Sequence, residues 1–123
     1  MITVSDEQFQ ALADEAFGEL PKTHLSAVRN VALVYAEEPN IEQRETARLR
    51  HDQTLFGLYE GVPLPRRQGA TNYPPDKITL FKLPLCRSVD NFPALKEQIK
   101  HTLWHEVAHY FGLDHDRIAE LEG

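Results

Sequence analysis

The sequence has a single cysteine, no long hydrophobic run and no block of like charges. With Cys86 alone no internal disulfide can form, and a small buried hydrophobe in a reducing compartment is its simplest role. No apolar run approaches the ~20 residues that span a bilayer, and the N-terminus has neither the basic nor the apolar segment of a secretion signal. These absences predict a cytoplasmic protein with no membrane segment.

Positive charge is also scarce, with 13 Lys and Arg against 19 Asp and Glu and a net charge of −6. An acidic chain repels the phosphate backbone overall, so we expect no nucleic-acid partner. A length of 123 residues falls within the usual size of one domain and can bury a modest core. We therefore expect a single domain over residues 1–123.

The first segment is typical of an amphipathic helix. Ser5 is followed three residues later by Gln8, the spacing of a capping box, and Pro21 prevents continuation of the helix. Apolar side chains recur at the i, i+3, i+4, i+7 spacing of one buried face, which is ordinary core. They are Phe9, Leu12, Ala13, Ala16, Phe17 and Leu20.

Further along, residues 31–36 are apolar on both faces and rich in β-branched side chains, which predicts a central strand covered on both sides. Residues 41–52 are charged and helix-prone, and indicate a short exposed helix. Two more strands are predicted near 55–60 and 77–83, separated by a proline-rich loop over 61–76. This order of helices and strands predicts an α+β fold.

The segment "SVDNFPALKEQIKHTLWHEVAHYFG" predicts a helix of about five turns. Ser88, Asp90 or Asn91 can cap its start, Pro93 suits the first turn, and Gly112 suits the left-handed residue beyond its end. At about 100° per residue, most apolar side chains share one broad arc. That arc holds Ile99, Leu103, Trp104, Val107, Tyr110 and Phe111.

His105 and His109 lie together outside this arc, with Glu106 at its border. One helical turn, about 6 Å, separates the two histidines, so both imidazoles can reach one zinc ion (Zn2+) at ~2.0–2.1 Å. Three protein ligands leave one position for a water, whose pKa zinc lowers to ~7. Glu106 can then accept the proton of that water as general base and pass it to the leaving amine.

A third ligand is predicted beyond the helix. Gly112 permits a sharp reversal, so His115 can swing back and complete the spacing HExxHxxGxxH. Asp114 and Asp116 flank His115, and either carboxylate could bind the metal instead. His101 lies one turn before His105, but three histidines along one straight helix would span ~12 Å, too far to meet at one ion.

The sequence resembles the small bacterial zincin-like metallopeptidases, single-domain proteins of about this length. The resemblance covers most of the chain and is most specific in "TLWHEVAHYFGLDHDRIAEL". It implies a minimal zincin-like fold, in which a small mixed sheet packs against an N-terminal helix and the HExxH helix. It also implies metal binding by His105 and His109, and catalysis by Glu106.

The chain departs from that family at the third ligand, where the family pattern HExxHxxGxxD ends in an acid and this chain has His115. The larger metzincins also carry a histidine there, but they continue into a Met-turn, and the only methionine here is Met1. We therefore expect upstream segments, the 61–76 loop and a sheet edge, to form the substrate cleft.

Three functions follow as hypotheses. The first is a zinc metallopeptidase that cleaves peptides or unfolded protein segments. The second is a non-catalytic zinc-binding module of zincin fold that acts through a partner interface. The third is zinc-dependent hydrolysis of a non-peptide amide, which the same motif serves equally well.

Overall fold

The computed structural model describes residues 1–20, 31–49, 54–61 and 76–110. Four helices are present in these ranges: α1 (Asp6–Gly18), α2 (Ile41–Thr46), α3 (Lys82–Arg87) and α4 (Phe92–Tyr110). The strands are β1 (Val31–Ala36), β2 (Gly57–Glu60) and β3 (Asp76–Phe81). No helix of the described ranges is both long and apolar enough to cross a membrane. The predicted α+β class is confirmed.

The three strands form one mixed sheet in the order β1-β3-β2. β1 runs parallel to β3 with Leu33 opposite Ile78, and β2 runs antiparallel to β3 with Tyr59 opposite Ile78. The prediction that β1 is the central, doubly covered strand is wrong, because β3 lies between the other two described strands. Ala32 and Val34 are exposed, so one face of β1 meets solvent. An apolar run identifies a strand but does not report how many neighbours it has.

Helix α1 begins at the capping box predicted for it. The Gln8 backbone N–H donates to Ser5 Oγ at 3.1 Å, and the Ser5 N–H donates to Gln8 Oε1 at 2.9 Å. The helix ends at Gly18, and Pro21 lies outside the described residues. Its buried face packs on the sheet, where the rings of Phe9 and Tyr35 meet edge to face at 5.9 Å.

Helix α4 packs against α1 and against the face of the sheet that α1 covers. Of the three candidate caps Asn91 serves, because its Oδ1 accepts the N–H of Ala94 at 2.8 Å. Within the described residues the predicted apolar arc is confirmed. Buried side chains four residues apart form a stripe along α4, and this stripe is the centre of the core. The stripe consists of Leu95, Ile99, Leu103 and Val107. Gly112, the predicted terminator, lies beyond the described ranges.

Two elements differ from their predicted bounds. The exposed helix predicted over 41–52 ends at Thr46 as α2, and Arg48 then takes a left-handed conformation with φ 56°. Residues 50–52 lie outside the described ranges. The strand predicted over 77–83 stops at Phe81, and the helix α3, which was not predicted, begins at Lys82. Pro84 is tolerated in the first turn of α3, since no helical N–H bond is needed there.

Candidate metal centre and catalytic site

The last described turns of α4 bring three potential metal ligands together. His105, Glu106 and His109 each offer one ligand atom, and these atoms lie within 4.8 Å of one another. The two imidazole rings are half-buried, with their centroids 5.1 Å apart and their planes tilted by 60°. The structure therefore places both histidines on one face, as their spacing predicts.

Glu106 has a different environment from the two histidines. Its side chain is buried, with only 8% of the residue exposed, and its Oε1 accepts the backbone N–H of Tyr59 at 2.8 Å. Burial raises the pKa of this carboxyl to about 7, and the Tyr59 N–H opposes that rise. A carboxyl that titrates near neutral pH has the acidity required of a general base.

The contact with Tyr59 joins α4 to the strand β2. In its pairing with β3, Tyr59 lies opposite Ile78, and its N–H is directed to Glu106 instead of across the sheet. The hydroxyl of the same residue donates to Asp76 Oδ2 at 2.5 Å, and Asp76 is 1% exposed. Tyr59 thus links the candidate base on α4 to a buried carboxylate at the start of β3.

The donor set fits zinc. Two imidazoles and a neighbouring carboxylate are among the ligand types that zinc binds in proteins, and ligands of one tetrahedral ion lie roughly 3 to 4 Å apart. Atoms within 4.8 Å of one another reach that spacing by small side-chain rotations. The Glu106 carboxyl is buried and accepts the Tyr59 N–H, whereas the two imidazoles are half-buried, so the histidines are the more accessible ligands.

The predicted third ligand lies outside the described residues, as do both acids that flank it. His115 therefore stays a prediction, with Asp114 and Asp116 as its alternatives. Of the 61–76 loop, the structure describes only the two ends, Gly61 and Asp76, so its place in a substrate cleft also stays a prediction. His101 is exposed and does not belong to the group of three.

Sequence reasoning placed Glu106 only at the border of the apolar arc, and it missed Tyr59 and Asp76 altogether. Tyr59 acts on Glu106 through its main chain, and every residue other than proline has such an N–H. A local signal was nonetheless present, because glycines stand two positions before and after Tyr59 in "GLYEG". Glycine within or beside a strand marks a site where other atoms approach closely.

A small mixed sheet packed with an N-terminal helix and a helix that carries HExxH is the arrangement that the resemblance implies. The sequence profile of the zincin-like metallopeptidases matches residues 28–123. This chain therefore belongs to the zincin-like metallopeptidase family, as its resemblance implied.

A conserved hypothetical protein from T. thermophilus has a similar solved structure. The TM-score is 0.57, with 14% identity over 88% of this chain and 94% of that one. At this identity the similarity supports the fold alone. None of the curated proteins matches the chain.

Proposed function

We propose that this protein is a zinc-dependent peptidase in which His105 and His109 bind the metal and Glu106 is the general base. The third ligand in this proposal is His115 or one of its flanking aspartates. The observation that carries the proposal is the position of Glu106, a buried carboxyl beside two histidines and fixed by the Tyr59 N–H.

Bound zinc would polarise the scissile carbonyl and acidify the attacking water. Glu106 accepts the proton of that water and returns it to the nitrogen of the leaving amine. Its Oε1 is occupied by the Tyr59 N–H, so Oε2 is the oxygen assigned to proton transfer. A nearby dication lowers the pKa of a carboxyl, so a loaded site favours the ionised form of Glu106.

The substrates we propose are peptides and unfolded protein segments. The described sheet has three strands and offers little surface with which to enclose a folded protein. An extended peptide suits a shallow cleft, because its main chain can pair with a sheet edge and leave the scissile bond accessible.

The direct experiment compares Glu106→Gln with Glu97→Gln in the zinc-loaded protein. Glu97 makes a matched control, because it is an exposed residue of the same helix and undergoes the same chemical change. With a library of unstructured peptides, Glu106→Gln should lower kcat/KM by about 10²–10⁴, the usual contribution of a general base. Glu97→Gln should leave it unchanged, and both variants should bind zinc.

Three results would contradict the peptidase. Equal rates in the two variants would show that Glu106 is not the base. Zinc bound by the wild type without turnover of any peptide would favour the non-catalytic module. Turnover of simple amides, but of no peptide, would favour the third hypothesis.

A further inference from the structure

The strand β2 lies unusually close to the helix α4. A Cβ added to Gly57 would lie 2.7 Å from Thr102 Cγ2 and 3.5 Å from Glu106 Cγ. Side chains essentially never show the first of these separations, so the Thr102 side chain, β2 or α4 would have to move. Glycine is therefore the residue that allows β2 to approach the helix.

The added Cβ would also crowd the neighbouring strand β3. The same added Cβ would lie 3.2 Å from the carbonyl oxygen of Thr79 on β3, which is already a tight contact. Gly57 therefore lies in a narrow space between a backbone atom of β3 and the Thr102 methyl group of α4. A larger residue at position 57 would widen the gap between β2 and α4.

That gap determines whether Tyr59 reaches Glu106. Tyr59 is two residues beyond Gly57 and projects from the same face of β2, since strand side chains alternate. Its N–H lies 2.8 Å from Glu106 Oε1, so a displacement of about 1 Å would break the hydrogen bond. A buried carboxylate that loses a donor must reorient or remain unsatisfied.

A second close approach fixes the other end of the strand. A Cβ on Gly61 would overlap the side chain of Asp76, whose Cβ would be 2.8 Å away. Asp76 in turn accepts the hydroxyl of Tyr59. Tyr59 thus lies between two glycines at which neighbouring side chains approach the strand closely.

We propose that Gly57 is a positioning residue, whose missing side chain lets the Tyr59 N–H hold the carboxylate of Glu106. Glu106 is the residue that acts, and Gly57 and Tyr59 act through it. The consequence for kcat rests on the proposed peptidase function, whereas the hydrogen bond itself can be tested in the metal-free protein.

The test compares Gly57→Ala with Gly18→Ala. A Cβ on Gly18 meets nothing within 4 Å, so this control makes the same chemical change in open space. By NMR of the metal-free proteins, Gly57→Ala should shift the Tyr59 amide proton upfield and speed its exchange about tenfold or more. In the zinc-loaded protein kcat should fall about 100-fold with little change in KM. Gly18→Ala should leave all of these values unchanged.

A compensating change separates the proposed contact from general damage. Thr102→Ser removes the methyl group that the added Cβ would meet, and keeps a hydroxyl that can donate to the Gln98 carbonyl oxygen, as Thr102 does at 2.8 Å. The double variant Gly57→Ala/Thr102→Ser should therefore bring the Tyr59 amide proton part of the way back to its wild-type chemical shift, and should recover part of kcat. Thr102→Ser alone should leave the Tyr59 amide proton at its wild-type chemical shift.

An unchanged Tyr59 amide in folded Gly57→Ala would overturn the proposal, whatever happens to the rate. If Gly57→Ala does not fold, Glu106→Gln decides at about pH 8, where the Glu106 carboxyl is ionised, because loss of the charged acceptor must move the Tyr59 amide proton upfield. A Tyr59 amide that ignores Glu106→Gln would also overturn the proposal. If Gly57→Ala changes the Tyr59 amide as predicted but the wild-type protein cleaves no peptide, the positioning role is supported and the peptidase is contradicted.

Discussion

The two halves of α4 use acidic partners in opposite ways. In the N-terminal half, Lys96 lies 3.1 Å from Glu15 and also pairs with Glu19, and Lys100 lies 3.6 Å from Glu19. These pairs join α4 to α1 at the surface. In the C-terminal half, Glu106 is buried and its described hydrogen bond comes from a backbone N–H of β2.

The pKa values of the two glutamates move in opposite directions for this reason. The hydrogen bond from Lys96 lowers the pKa of Glu19, whereas burial raises the pKa of Glu106 to about 7. Exposed ion pairs contribute little to stability and need no chemical role. A buried carboxyl opposes folding in its charged form, and perturbed acids of this kind concentrate at functional sites. The contrast separates the half of α4 that forms surface ion pairs from the half that carries the proposed metal site.

The largest effect that tests this contrast is loss of metal binding. His109→Ala should weaken zinc affinity by more than about 100-fold, because loss of a ligand costs more than loss of a supporting residue. His101→Ala, an exposed histidine two turns earlier on the same helix, should change it little. Isothermal titration with zinc measures both, and equal affinities would contradict the assignment of the site to the last turns of α4.

Next in size is the effect of Glu106 on the stability of the metal-free protein. Its pKa is about 7 in the folded protein against an ordinary value of 4.5, so between these values the folded state retains a proton that the unfolded state has lost. This group therefore lowers the free energy of unfolding as pH rises through that window, by up to about 3 kcal/mol.

Glu106→Gln removes that dependence. The difference in unfolding free energy between this variant and the wild type should grow in favour of the variant from about pH 5 to about pH 8. Urea denaturation across this range measures the difference, in which the contributions of the other titratable groups cancel. A difference that stays constant with pH would mean that burial does not perturb this carboxyl.

The smallest effect is expected in the N-terminal half. Lys96→Gln removes both pairs that Lys96 makes, with Glu15 and with Glu19. The variant should lower the free energy of unfolding by less than the ~3 kcal/mol expected for the titration of Glu106. Most of the loss should disappear in high salt, which screens the wild-type pairs as well. Thermal melts at low and high salt test this, together with a zinc titration that should be unchanged. A change in zinc affinity would show that the two halves are coupled.

Local signals in the sequence predicted α1 and α4 well. The capping box at Ser5 and the cap at Asn91 involve residues three apart, so neighbouring residues determine them almost entirely. The shared face of His105 and His109 follows from helix periodicity in the same way. These features need no knowledge of the rest of the chain.

Features that depend on distant residues were not predictable. The central place of β3 depends on pairing with strands far away in sequence, and the start of α3 interrupts an alternation that resembles a continuing strand. The burial of Glu106 depends on the approach of Gly57, which is far away in the sequence. Periodicity showed which side of the helix Glu106 lies on, but only the packed strand determines its partner.

Anomalous diffraction at the zinc absorption edge, from a crystal grown with zinc, tests the central claim most directly. We predict one strong peak within about 2.0–2.1 Å of an imidazole nitrogen of both His105 and His109, with Glu106 nearby on the Tyr59 N–H. A peak bound at other residues, or no peak between these two histidines, would contradict the assignment of this turn of α4 as a zinc site.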